Sequence, residues 1–268
     1  MDRVPDAVAF GRADLDIGDA DAVAAVDWSP FDTIVNAAAY TAVDAAESPE
    51  GRRAAWRANA TAVAHLVRVA DRHDVTLVHL SSEYVFDGRA DGAITEDAAF
   101  SPLSAYGATK AAGDLAAGLA RRHYLVRTTW VVGDGRNFVR TMLGLAVRGA
   151  TPTVVSDQTG RPTFADDLAD AIVHLTTTGA PYGTYHVTNA GEPASWADVA
   201  RATFALVGRP PSAVTGTTTA AYFADKPDAA VRPHNSVLSI EKAHAAGVRM
   251  PTWTDSLATY VKRENAAV

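Results

Sequence analysis

The sequence predicts an α/β fold, a doubly wound parallel sheet followed by a smaller C-terminal subdomain. Short β-branched runs alternate with longer alanine-rich segments of helical period, the pattern of parallel strands joined by crossover helices. Beyond about residue 150 the alternation weakens and Gly and Pro become denser, at Gly149, Pro152, Gly160, Pro162, Pro181, Gly183, Gly191 and Pro193. The expected division is 1–150 for the sheet domain and 151–268 for a subdomain partly interleaved with it.

Thr33-Ile34-Val35 reads as a buried strand ending at Asn36, followed by a loop through Tyr40 and a helix from Pro49 to Arg72. Proline suits a first helical turn because its missing N–H would be unpaired there anyway. Val75 to Leu80 is the next strand, and its C-terminal edge delivers Ser81, Ser82 and Glu83. Ala105 to Arg122 predicts a long helix and Tyr124 to Val132 another strand. Ser195 is placed to cap a helix running toward Leu206, and Thr254 to begin a last one ending near Arg263. In open parallel sheets ligands bind beyond the strand C-termini, so the residues after each strand are the first place to look for chemistry.

Composition narrows the classes. Of 268 residues, 48% are hydrophobic, enough for a sizeable core. With 31 acidic against 24 basic side chains the net charge is -7, which argues against a nucleic-acid or anionic-membrane surface. The absence of cysteine removes disulfides, thiolate metal sites and a Cys nucleophile, and suits a reducing, cytoplasmic setting. No apolar run approaches the roughly 20 residues of a membrane helix. The histidines, His65, His73 and His174 among them, lack metal-ligand spacing and are expected in surface or core roles, so no metal site is expected. Asp44 with Glu47, and Asp166 with Asp170, read as solvated helix faces.

The richest constellation is Tyr106-Gly107-Ala108-Thr109-Lys110, preceded by the strand-end hydroxyls of Ser81 and Ser82. Helix positions i and i+4 share a face, so phenol and ammonium can address one site. The ammonium is expected to favour phenolate and so lower the Tyr106 pKa. Spacing alone leaves a surface helix about as good an account as a catalytic one.

The chain resembles the extended short-chain dehydrogenases/reductases, specifically the dTDP-4-dehydrorhamnose reductases and related nucleotide-sugar 4-ketoreductases. The segments that carry the resemblance are DLDIGDADAV (14–23), IVNAAAYTAVDAAE (34–47), HLSSEYVFDG (79–88), SPLSAYGATKAAGD (101–114), VRTTWVVG (126–133), SDQTGRPTFADDLA (156–169) and RPHNSVLS (232–239). The resemblance implies a Rossmann-type sheet and reduction of a sugar 4-keto group by NADPH or NADH, most readily dTDP-4-dehydro-L-rhamnose to dTDP-L-rhamnose. Tyr106 would protonate the carbonyl oxygen. Lys110 would tune Tyr106 and bond the nicotinamide ribose, and Ser82 would hold the carbonyl. Asp16 and Ile17 match the adenine stretch, and Ala37, Ala38 and Tyr40 the loop along the cofactor. Glu83, Trp130, Gln158, Thr163, Arg232 and Asn235 match the nucleotide-sugar pocket, with Arg232 expected on the diphosphate, because a guanidinium binds phosphate oxygens as a fork. Asn59 is expected to be structural. The implied partner is a dTDP-sugar, and the assembly a monomer or homodimer.

Two departures stand out. Glu83 replaces the family's usual Asp, and no Gly-x-x-Gly-x-x-Gly turn is present to cradle a pyrophosphate. The missing unit corresponds to about 30 residues, and the resemblance implies that the chain begins near the family's second strand, around Val8 to Phe10. It predicts weak dinucleotide binding by this chain, to be compared with an upstream-extended form. Alternatives are a nucleotide-sugar epimerase and a non-catalytic regulatory subunit. A dehydratase is disfavoured because Glu83 is followed by Tyr84 rather than by a second carboxylate.

Overall fold

The computed structural model describes residues 4–266. Its main sheet holds β1 (Thr33–Asn36), β2 (Thr76–Ser82), β3 (His123–Thr128) and a fourth strand, Gly183–His186, all parallel and ordered β1-β2-β3-fourth. The fourth strand comes from beyond residue 150, so the C-terminal part of the chain contributes to the main sheet. Val8 to Phe10 forms no strand, and β1 has β2 on one side and, among the described residues, no strand partner on the other. Val35 on that edge is 51% exposed.

β1, β2 and β3 lie where the β-branched runs predict them. One face of the sheet buries Leu77, Ile34, Leu66 and Val69 together, and another cluster joins Val78, Val126, Tyr185 and Leu175. The strand expected from Tyr124 to Val132 is interrupted. It stops at Thr128, Trp130 takes a left-handed backbone at φ 46°, and Val131–Val132 then pairs with Thr163–Phe164. An L-residue with a large side chain rarely adopts that backbone, and one such residue ends a ladder.

The predicted helix from Pro49 to Arg72 is three pieces in line, α2 (Pro49–Trp56), a π-helical turn (Arg57–Thr61) and α3 (Ala62–His73). Ser48 caps α2 by accepting from Gly51 N at 3.0 Å. α4 (Ala105–Ala117) stops short of the expected Arg122 and is capped by Ser104, whose hydroxyl accepts from Gly107 N at 3.1 Å. α4 is seated very close to its neighbours. A Cβ at Gly107 would lie 2.3 Å from the Tyr84 carbonyl oxygen, and one at Gly113 2.0 Å from that of Asn59. Glycine costs an exposed helix interior about 1 kcal/mol against alanine, and here it permits backbone-on-backbone packing.

The C-terminal part adds α5 (Phe138–Val147), α6 (Ala165–Thr177), α7 (Trp196–Leu206) and the last helix, Trp253–Ala266. Ser195 caps α7 through a reciprocal box with Asp198. Among the described residues no helix is long and apolar enough to cross a membrane.

Candidate active site

β2 and α4 converge on one place. Tyr106 and Lys110 project from the first turns of α4 and are both buried, as are Ser82 and Glu83 where β2 ends. The Lys110 Nζ donates to the Leu80 carbonyl at 2.7 Å, which pins the ammonium beside the strand end. The Tyr84 ring meets that of Tyr106 edge-on at 5.4 Å. Ser82 Oγ donates to Glu83 Oε2 at 2.7 Å.

The electrostatics correct one expectation. Tyr106 is raised, not lowered. Burial is the main cause and the Glu83 charge adds to it, while Ser82 works the other way. Burial brings Lys110 down to about 8, against the opposing pull of Asp114. A neighbouring ammonium favours the phenolate, but the cost of burying a phenolate outweighs it here. Burial also raises Glu83 to about 7. Its Oε1 makes no hydrogen bond of good geometry, although the Ser236 hydroxyl is close enough to favour the charged form.

On the expected cofactor side, Ile17, Ala37 and Ala38 line one groove of about 320 Å³ along the free edge of β1, with Phe10, Trp28 and Val35. Asp16 is engaged by Arg57, whose two terminal nitrogens donate to its oxygens at 3.0 and 2.7 Å. Tyr40 is fixed by Asn59, which accepts from Tyr40 N at 2.8 Å and donates to Tyr40 O at 3.1 Å and to Thr109 Oγ1 at 3.0 Å. Asn59 thus ties the loop after β1 to α4. Among the described residues no glycine-rich turn lines the groove, so no backbone cradle for the pyrophosphate is on view.

The expected substrate residues are spread more widely, and several are already occupied. Trp130 stacks on Trp196 with centroids 3.8 Å apart. Gln158 donates to Thr219 Oγ1 at 3.1 Å, and Thr163 is fully buried in its short strand. Asn235 donates to the carbonyls of Ala90 and Gly92 at 2.8 and 2.7 Å, which fastens a loop. Arg232 does not point to open space. It donates to both Asp44 oxygens at 2.8 and 2.9 Å and lies over the Phe223 ring at 4.8 Å. Asp44 and Glu47 are accordingly not simply a solvated face, since Glu47 also accepts from Ala105 N at 2.8 Å at the start of α4.

Sequence reading missed the support behind α4. Arg127 Nε donates to Asp114 Oδ2 at 2.8 Å, with side chains 4% and 0% exposed, and its guanidinium lies over the rings of Phe86 and Phe100, 5.2 and 5.0 Å from their centroids. Asp114 sits one turn beyond Lys110, the spacing that could have shown it. The stacking of Trp196 on Trp130 left no signal in local spacing.

Comparison with known proteins places this geometry. The profile of the RmlD substrate binding domain matches residues 2–266. A dTDP-4-keto-6-deoxy-D-glucose reductase of Streptomyces niveus is 44% identical over 211 residues, covering 77% of this chain and 72% of that one. A dTDP-4-dehydrorhamnose reductase of Burkholderia thailandensis is 40% identical over 266 residues, covering 92% and 87%. The crystal structure of the dTDP-4-dehydrorhamnose reductase of Bacillus anthracis in complex with NADP superposes with a TM-score of 0.87 at 32% identity, covering 95% of this chain and 89% of that one. With its Tyr106–Lys110 pair set against the end of β2 in a parallel sheet, the chain belongs to the RmlD substrate binding domain family, the family of the dTDP-4-dehydrorhamnose reductases.

Proposed function

We propose that the protein reduces the 4-keto group of a dTDP-4-dehydro-6-deoxysugar, with dTDP-4-dehydro-L-rhamnose the leading substrate and NADPH or NADH the reductant. The observation that carries this reading is the joint burial of Tyr106, Lys110 and Ser82 at the C-terminal end of β2. The nicotinamide cofactor, when bound, supplies the hydride. Tyr106 keeps its proton at working pH because burial disfavours the phenolate, so it holds the proton that the sugar O4 needs. Lys110 is fixed by the Leu80 carbonyl where a ribose hydroxyl can reach it.

Asp16, Ile17, Ala37, Ala38 and Tyr40 are assigned to the cofactor side. Ser82, Glu83, Trp130, Gln158, Thr163, Arg232 and Asn235 are assigned to the sugar nucleotide, Glu83 by way of Ser82 and Asn235 by holding the loop that carries its neighbours. Arg232 must leave Asp44 to take a diphosphate.

The test is reduction of dTDP-4-dehydrorhamnose with each nicotinamide, followed by loss of reduced cofactor, in the native chain and in Tyr106→Phe. The expected loss in the variant is at least ~100-fold in kcat with an unchanged melting temperature. Equal turnover by both proteins refutes the reading, and retained dTDP-sugar binding without any turnover in the native chain points to a binding subunit instead.

A further inference from the structure

Glu83 has the features of a working carboxyl. It is 2% exposed, it follows the hydroxyl assigned to the ketone, and one of its oxygens makes no hydrogen bond of good geometry. A serine hydroxyl has one proton to give. As the structure stands, Ser82 gives it to Glu83 Oε2, which leaves none for a sugar oxygen or for Tyr106. Protonating Glu83 reverses the bond. The carboxylic O–H then donates to the Ser82 oxygen, and the Ser82 proton is free to turn toward the Tyr106 phenol, whose ionised form Ser82 is close enough to favour.

We propose that Glu83, as the neutral acid, directs the Ser82 proton into the site and restores the proton that Tyr106 spends. This rests on the reductase reading above. Glu83 touches neither sugar nor cofactor in this scheme, so it is a positioning residue acting through Ser82.

The protons balance. During reduction the Tyr106 O–H bond breaks as the sugar O4–H bond forms. The Ser82 O–H bond then breaks as that of Tyr106 re-forms, and the Glu83 O–H bond breaks as that of Ser82 re-forms. No electrons change centre in this relay. The carboxylate regains a proton from solvent before the next turnover. The charged and titratable groups facing Glu83 are Tyr84 on its own turn and Tyr106 on α4, with Arg232 and Asp44 acting on Tyr84 and Asp114 on Tyr106. Burial brings the Glu83 carboxyl to about 7, so both of its forms are populated near neutral pH.

The experiment measures kcat against pH for dTDP-4-dehydrorhamnose reduction by the native chain, Glu83→Gln and Glu83→Asp, alongside a carbon-13 NMR titration of the glutamate carboxyls assigned with the Asp variant. The native kcat is expected to fall about tenfold per pH unit above the break near 7. Glu83→Gln is expected to lose that break and to run at least about tenfold slower below it, and Glu83→Asp to keep a break. The NMR titration places Glu83 near neutrality and needs no turnover, so it remains decisive if Glu83→Gln does not fold. An unchanged break in Glu83→Gln, or a Glu83 carboxyl titrating in the ordinary carboxylate range, overturns the relay while leaving the reductase reading intact. No reduction by the native chain at any pH overturns the reductase reading and the relay with it.

Discussion

Burial acts on Glu83 and Lys110 with opposite effects on stability. Glu83 is held at about 7 against an ordinary value of 4.5, so the folded chain binds its proton more tightly than the unfolded chain. Its contribution is complete below about 4.5 and is lost as pH rises through about 7, a difference of about 3 kcal/mol at most. Lys110 is depressed to about 8, so its contribution is present only above its ordinary value and is already absent across that window. The buried His186, lowered to about 3 by burial and by Arg127, gains stability with rising pH below its ordinary value and so partly masks Glu83. The clean measurement is therefore differential. Denaturant unfolding of the native chain and of Glu83→Gln from below about 4.5 to above about 7 is expected to show the native chain losing more stability as pH rises. Parallel curves would mean that Glu83 titrates as an ordinary carboxyl. At this scale the sequence showed Tyr106 and Lys110, because i and i+4 on a helix is a local relation. It did not show their ionisation or that of Glu83, because burial is set by segments far away in the chain, such as Ser236 beside Glu83 and Leu80 beside Lys110.

Among the elements, α4 carries most of the site and is held by two devices. The first is close backbone approach at Gly113, where a methyl group would meet the Asn59 carbonyl at 2.0 Å. Gly113→Ala is expected to cost about 1–3 kcal/mol even though alanine is the better helix former, since backbone cannot yield as a flexible side chain can. Thermal unfolding checks this, and a stabilised variant would show that α4 can slide outward freely. The second device is the buried Arg127–Asp114 pair. Removing one partner strands the other, so Asp114→Asn is expected to cost about 3–5 kcal/mol by denaturant unfolding, whereas exchanging both for apolar residues of similar volume is expected to recover much of that. The strands β1, β2 and β3 were legible because a buried parallel strand is an apolar, β-branched run. The ends were less so. α4 stops at Ala117 although the alanine-rich pattern continues, and the strand after β3 is broken at Trp130 because a backbone of positive φ has no period to detect. Val8 to Phe10 has strand-like composition but no strand beside it to pair with, and composition supplies no hydrogen bonds.

Across the whole molecule, the loop after β1 is joined to the C-terminal RPHNS segment by the Asp44–Arg232 pair. Arg232 Nη2 donates to both Asp44 oxygens while its Nη1 donates to the Ala230 carbonyl at 2.8 Å, and Ala230 N donates to the same carboxylate at 3.0 Å, so Asp44 fastens the C-terminal loop as well as the guanidinium. A carboxylate with two oxygens presents to a guanidinium much the same fork as a phosphate does, so the two compete for it. Asp44 is half exposed, and pairs of this kind contribute about 0.2–1 kcal/mol. Asp44→Asn keeps the shape, removes the competing charge and is expected to bind dTDP up to about fivefold more tightly, the ratio that such an energy allows. Arg232→Ala is expected to weaken dTDP binding and to raise KM for the dTDP-sugar, with less effect on kcat, because the guanidinium is assigned to the diphosphate and the ketone to Tyr106. Calorimetric titration with dTDP measures both variants against the native chain. Tighter binding in the Asn variant and weaker binding in the Ala variant would together place the diphosphate on Arg232, whereas weaker binding in both would mean that Asp44 builds the site by holding the loop at Ala230 and does not compete for it.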